Sequence, residues 1–333
     1  MLVAARNPDL RLPLPLRERR RFVRRPWWRD RVRKTPGFGE SGSRSRALAA
    51  CLASGVTYLP SCVPVPAFNP LFPTTTRGAL FDLRRMRARP VPLERPVVVL
   101  GGYHEPGPWA EALMMRLRAA TSQDPHDFLA VDYLFKSDAE DLIAKVVTQV
   151  DEKWPNASRT ETIEIDAVAI SMGGLIARAA AIPPERNLIP GDETLSERQA
   201  AHAETASPGD YRKRLRIRRL FTLATPHRGA KLADAIAPDN ISRAMRTDSP
   251  WICGLNGTLG ECEYELFPYA ILRDGVVGAR NAAPPGREPF WVSGTLIGSH
   301  MGVSENRRIA ADIARRLRGE RPLAIGPSRP PND

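Results

Sequence analysis

Ser171 stands where a nucleophile would. It lies in Ala169-Ile170-Ser171-Met172-Gly173-Gly174, between the strand-like run Ile163–Ile170 and an apolar helical pattern. Small residues two positions before and two after a serine let a strand turn abruptly into a helix, because side chains there would collide. On such a turn the hydroxyl projects from the carboxyl edge of a sheet, where open α/β sheets carry their sites. The N–H of Met172 then falls at a helix N-terminus, where amides lack intrahelical acceptors and favour negative charge. Attack on a carbonyl, with the oxyanion held by Met172, is the chemistry this pattern suits. A serine hydroxyl is a weak nucleophile at neutral pH without an adjacent base. Five histidines compete for that role: His104, His126, His202, His227 and His300. His202 lies in a polar stretch, whereas His300 follows an apolar run and is flanked by Gly298, Ser299 and Gly302, which permit close approach.

The elements that must position these groups alternate. Pro96-VVVL-Gly101 is a short apolar β-branched run ended by glycines, as expected of a buried parallel strand. A helical pattern follows from Trp109 to Ala120. Then come a strand at Phe128–Leu134 and a helix from about Asp138 to Trp154 with Ser137 as its N-cap. The strand leading to Ser171 is followed by its helix and by a polar stretch, about 183–214, expected as a surface insertion. Further strands are expected at Arg219–Ala224, Tyr269–Leu272 and Phe290–Ile297, with an irregular, lid-like segment at 238–268 and a closing helix near Asn306–Arg318. Alternating strands and helices imply a mostly parallel central sheet with helices on both faces. No repeat of 20–50 residues interrupts this pattern.

IDAVAISMGGLIAR resembles the nucleophile elbow of bacterial lipases and of GPI-inositol-deacylase-like hydrolases, both of the α/β-hydrolase fold. VVVLGGYHEPGPWAEALMMRL resembles their oxyanion strand and helix. FTLATPHRGAKLAD resembles their Thr-Pro-His-x-Gly segment, and SGTLIGSHMGVSENRRIAADIARRL their histidine loop and last helix. The likeness spans about residues 96–318. Ala169 stands for the commoner glycine, and Gly101-Gly102 for the more usual His-Gly. The resemblance implies a triad in the chain order serine, acid, histidine. That order excludes His104 and His126 and makes His300 the base. His227 comes too soon after the nucleophile and is expected to shape the pocket floor. The acid is expected to be Asp274, in a stretch resembling the lipases' Asp-Gly-x-Val segment. Asp274-Gly275 also reads as a hairpin turn, so Asp234 and Asp239 stand in reserve. By analogy, the N–H of Tyr103 is the second oxyanion donor beside Met172.

Charge excludes little, once its distribution is read. Residues 1–46 hold 14 of the 49 basic residues against four acids, so most of the net charge of +12 sits there and the body is near neutral. With no recognition motif and almost all basic residues arginine, nucleic acid is not an expected partner. The basic leader 1–46 is expected to be disordered. Residues 47–62 are signal-like: Ala47–Leu59 is an uncharged run of 13 residues, short of the ~20 a membrane span needs. It ends near Cys62, placed like the acylated cysteine of a lipoprotein signal. Residues 63–90, with Pro64, Pro66, Pro70 and Pro73, read as a Pro-rich tether. The hydrolase domain is expected over 91–319, and 320–333 as a disordered tail. Export with association to a membrane through the N-terminus follows from this reading, and a cytoplasmic enzyme if the apolar run belongs to the fold. In an exported chain Cys253 and Cys262 are expected to form a disulfide.

No zinc spacing, phosphate loop or dinucleotide fingerprint is present, so no cofactor or metal is expected. The expected activity is cleavage of a small-molecule or lipid carboxylic ester through an acyl-enzyme. Trp251, Leu255, Leu266 and Phe267 are expected as a lid for acyl chains or, more simply, as local core. A thioesterase or acyltransferase would use the same triad. A catalytically silent hydrolase-fold binding protein is the alternative from another class.

Overall fold

The computed structural model describes residues 67–103, 108–133, 138–183, 213–295 and 299–331. The chain divides into Met1–Pro64 and Val65–Asp333. The basic leader, the signal-like segment with Cys62, His104, His202 and residues 184–212 of the polar stretch lie outside the described residues.

The described strands are β1 (Val97–Leu100), β2 (Phe128–Val131), β3 (Glu161–Ile170), β4 (Arg214–Leu223), β5 (Glu265–Ile271) and β6 (Phe290–Val292). They form one parallel sheet in the order β2-β1-β3-β4-β5-β6. Helices α1 (Thr76–Arg87), α2 (Pro108–Ala120), α3 (Ala139–Lys153) and α4 (Met172–Ala181) precede or link the first strands. Between β4 and β5 lie the short helices α5 (Lys231–Ala235), α6 (Asn240–Ala244) and α7 (Pro250–Gly257), and α8 (Arg307–Leu317) follows β6.

Alternate residues of a strand face opposite sides of a sheet. Val98, Leu100, Ala167 and Ala169 accordingly pack with Leu142, Val146, Leu175 and Ile176 of α3 and α4 on one face. Val97, Val99, Val168 and Ile170 pack with Met86, Leu113, Leu117 and Ile313 of α1, α2 and α8 on the other. Because β2 lies outside β1 while β3 lies on its other side, strand order reverses between β1 and β3. Open α/β sheets place their ligand crevice at the carboxyl ends flanking such a reversal. Tyr103 follows β1 and Ser171 follows β3, so both fall there.

Several expectations need correction. Residues 67–90 are no tether. No proline lies between Pro73 and Pro90, and in that gap Thr75 caps α1, its hydroxyl accepting from Gly78 N at 3.0 Å. This helix buries Ala79 and Met86, and Asp82 pairs with Arg315 of α8 at 2.5 Å. The described part of 320–333 is no loose tail either. Asp312, fully buried on α8, accepts from Leu323 N at 2.5 Å and Ala324 N at 2.8 Å, and Ile325 N donates to Leu71 O at 2.7 Å. Both terminal segments are therefore held by contacts distant in sequence. The N-cap of α3 is Asp138 rather than Ser137, its carboxylate accepting from Glu140 N and Asp141 N. Strand β6 ends at Val292 rather than Ile297, and β4 begins five residues before Arg219.

Candidate active site

The turn at Ser171 is as tight as its neighbours require. Ser171 has φ +50° and ψ −124°, a conformation sparsely populated by residues with side chains, and Thr225 Oγ1 donates to its carbonyl at 2.8 Å. A Cβ on Gly173 would lie 2.3 Å from Gly101 O, and one on Gly174 2.2 Å from Thr225 Oγ1. Both positions thus demand glycine. Two residues before the serine, Ala169 is fully buried beside Leu100 of β1, so alanine suffices there.

Three elements bring the reacting groups together. Ser171 Oγ lies 3.0 Å from His300 Nε2, within hydrogen-bond reach. His300 Nδ1 lies 2.8 Å from Asp274 Oδ2. The other carboxylate oxygen of Asp274 accepts from Val276 N and Val277 N, both at 2.9 Å. Asp274 is 1% exposed, so these bonds act away from water and hold the carboxylate rigidly. Arg273, at φ +61°, turns the chain off β5 immediately before Asp274. No hairpin forms there, because β5 and β6 pair in parallel. The loop carrying His300 is braced by Ser299, whose hydroxyl donates to Thr295 O at 2.8 Å and accepts from Thr295 N at 3.0 Å.

Ser171 and His300 open into a pocket of about 420 Å³. Its wall is apolar: Trp109, Ile170, Leu232, Ile236, Pro238, Met245, Val276 and Met301 line it, and none of its described lining residues is Asp, Glu, Lys or Arg. Tyr103 lines the same pocket. Met172 is the first residue of α4, so its N–H is one of those a helix leaves without an internal acceptor.

The remaining candidates have other partners. His227 is fully buried below the turn, bonded to Thr222 Oγ1 at 2.9 Å and to Arg178 at 2.9 Å. Burial first, and the Arg178 charge second, push its pKa well below the ordinary histidine value. It is neutral, accepting from Arg178 at Nδ1 and donating to Thr222, which leaves no lone pair for Ser171. Asp234 accepts from Thr247 N at 2.8 Å and Thr247 Oγ1 at 2.7 Å, while Asp239 caps α6. His126 carries no site role, standing exposed before β2.

Around β5 one expectation fails, and of two alternatives the simpler one holds. Cys253 and Cys262 are free thiols. Cys253 sits on the outward face of α7, whose Trp251, Ile252 and Leu255 turn inward, and Cys262 Sγ donates to Thr258 O at 3.3 Å. Trp251, Leu255, Leu266 and Phe267 are core rather than lid: the first two belong to the core beneath α4, the last two to β5. The pocket wall comes instead from Leu232, Ile236 and Met245, which sequence reasoning missed. The i, i+4 spacing of Leu232 and Ile236 was the available signal, and both side chains stand exposed.

The parallel sheet, the strained serine at the β3–α4 turn, and Asp274 and His300 on loops after β5 and β6 define the α/β-hydrolase fold. No protein-family model matches the sequence, and no curated protein is similar to it. Among solved structures the chain is similar to phospholipase PlaB from Legionella pneumophila, at 13% identity and TM-score 0.42, over 67% of this chain and 60% of that one. It is also similar to a protein assigned as a cell surface hydrolase from Lactobacillus plantarum WCFS1, at 13% identity and TM-score 0.37, over 68% of this chain and 92% of that one. RedJ, solved with a PEG molecule in its active site, aligns at 15% identity and TM-score 0.32 over 77% of this chain and 97% of that one. Among the described residues no His, Cys, Asp and Glu group has the makings of a metal site, and no helix is long and apolar enough to cross a membrane.

Proposed function

We propose that the protein is a serine hydrolase of carboxylic esters whose acyl group is hydrocarbon. The observation that carries this reading is the unbroken relay from Asp274 Oδ2 through His300 to Ser171 Oγ at the wall of an apolar pocket. In the proposed reaction His300 Nε2 takes the Ser171 proton as Oγ attacks the carbonyl carbon. Asp274 holds Nδ1–H and stabilises the imidazolium. The N–H groups of Met172 and Tyr103 receive the oxyanion. The tetrahedral intermediate collapses as His300 protonates the leaving alcohol, and water, activated by the same histidine, releases the acid.

Substrate selection follows from the wall. A pocket without charged lining offers no compensation to a charged acyl group, whereas each methylene buried there contributes about 0.8 kcal/mol. With p-nitrophenyl esters, kcat/KM is expected to rise by at least about tenfold from acetate to octanoate. A profile that falls from acetate onward would remove the hydrocarbon part of the proposal. Assignment to the lipase or GPI-inositol-deacylase-like branch rests on the motif resemblance. Export with an acylated Cys62 is likewise proposed from residues 47–62 alone.

A further inference from the structure

Beside the pocket lies a hydrogen bond that the catalytic relay does not use. Tyr103 follows β1, and its phenol donates to Asp239 Oδ2 at 2.7 Å across 136 residues of chain. Asp239 directly follows Pro238, which lines the pocket. Its other oxygen accepts from Ser242 N at 2.8 Å while its own N–H donates to Ser242 Oγ at 3.0 Å, closing the capping box that starts α6. Pro238, Ser242 and Met245, around and within this helix, line the pocket beside Ser171. One carboxylate therefore caps a helix of the acyl-side wall with one oxygen and grips the residue after β1 with the other. Burial first, and then the Asp239 bond, push the Tyr103 phenol up to about 12, so the donor proton stays in place throughout the range in which a histidine base works.

Resting on the serine-hydrolase reading, we propose that Asp239 is a positioning residue for the oxyanion hole. Through the Tyr103 hydroxyl it holds the Tyr103 N–H at a fixed distance from the Ser171 turn. The argument is geometric. An oxyanion donor acts only if it is already in place when charge develops, and an error of about 1 Å in such a group can cost about a hundredfold in rate. Tyr103 lies three residues beyond β1, whose backbone bonding to β2 runs on to Gly101, its N–H donating to Val131 O at 2.9 Å. The Asp239 bond ties Tyr103 to the start of α6 as well.

The test uses Tyr103→Phe, which keeps the backbone N–H and removes only the hydroxyl, and Asp239→Ser. In the latter the hydroxyl can still accept from Ser242 N and cap α6, with no second oxygen left to meet the phenol. Each variant is expected to lower kcat on p-nitrophenyl octanoate by about tenfold, with KM changed less than about twofold. Hexylboronic acid, whose boron adds to Ser171 Oγ and mimics the tetrahedral intermediate, should bind each variant more weakly by a similar factor. The double variant should be no worse than the poorer single one. The inference is overturned if either variant keeps wild-type kcat, if only one of the two loses it, or if the loss appears in KM and melting temperature while boronate affinity stays put. Failure of the parent reading looks different: wild-type protein would then not be labelled at Ser171 by a fluorophosphonate. Labelling at Ser171 together with an unimpaired Tyr103→Phe enzyme would sink the positioning role alone.

Discussion

Ser171→Ala and His300→Ala are each expected to lower ester turnover by about 10³-fold or more, with little further loss in the double variant. The two side chains act as one unit. Without His300 the Ser171 proton loses its acceptor, and the buried His227 cannot replace it, being held neutral by burial with both ring nitrogens occupied. Without Ser171 the base has no nucleophile to activate. Neither change should unfold the protein, since each removes a few atoms that face the pocket rather than the core. Steady-state kinetics on the three variants measure this, and near wild-type turnover in either single variant would break the mechanism.

Asp274→Asn should come close to that effect, with a loss on the order of 10³- to 10⁴-fold while the fold survives. Val276 N and Val277 N both donate to one oxygen of residue 274, so an asparagine there must present its carbonyl to them. Its NH₂ then faces His300 Nδ1. That nitrogen becomes an acceptor, Nε2 carries the proton, and the ring can no longer take one from Ser171. The amide orientation is thus dictated by two backbone donors. Asp234→Asn, whose partner is Thr247, should leave turnover nearly intact. A mild Asp274→Asn beside a damaging Asp234→Asn would contradict the assignment of the acid.

Much of the site was legible in the sequence for local reasons. Ser171 announces itself because its turn needs small neighbours, and the contacts of Gly173 and Gly174 with Gly101 and Thr225 give the cause. His300 and Asp274 were reachable through a resemblance in motif order, since a lone Asp-Gly reads equally as a hairpin. What escaped was set by distant partners. Nothing local tells that Asp312 will gather the backbone of Leu323 and Ala324, or that Asp82 will meet Arg315, so two ordered segments read as tether and tail. Proline counting overlooked a well-capped helix that fits between Pro73 and Pro90. The pocket wall was missed because the bulkiest apolar residues of the β4–β5 connection fill the core, leaving Leu232 and Ile236 to line the pocket. Asp239 was weighed as a catalytic acid, and its bond to Tyr103 emerges only when the segment after β1 meets the start of α6.

The central claim is that His300 and Asp274 make Ser171 nucleophilic in the folded protein. Reaction with a fluorophosphonate, followed by mass analysis of the peptide that carries the label, tests it without a known substrate. The account predicts one label per chain, on Ser171, abolished in Ser171→Ala and slowed by orders of magnitude in His300→Ala. Absence of labelling in the wild-type protein, or labelling that persists at another residue in Ser171→Ala, would contradict it and favour a silent hydrolase-fold binding protein.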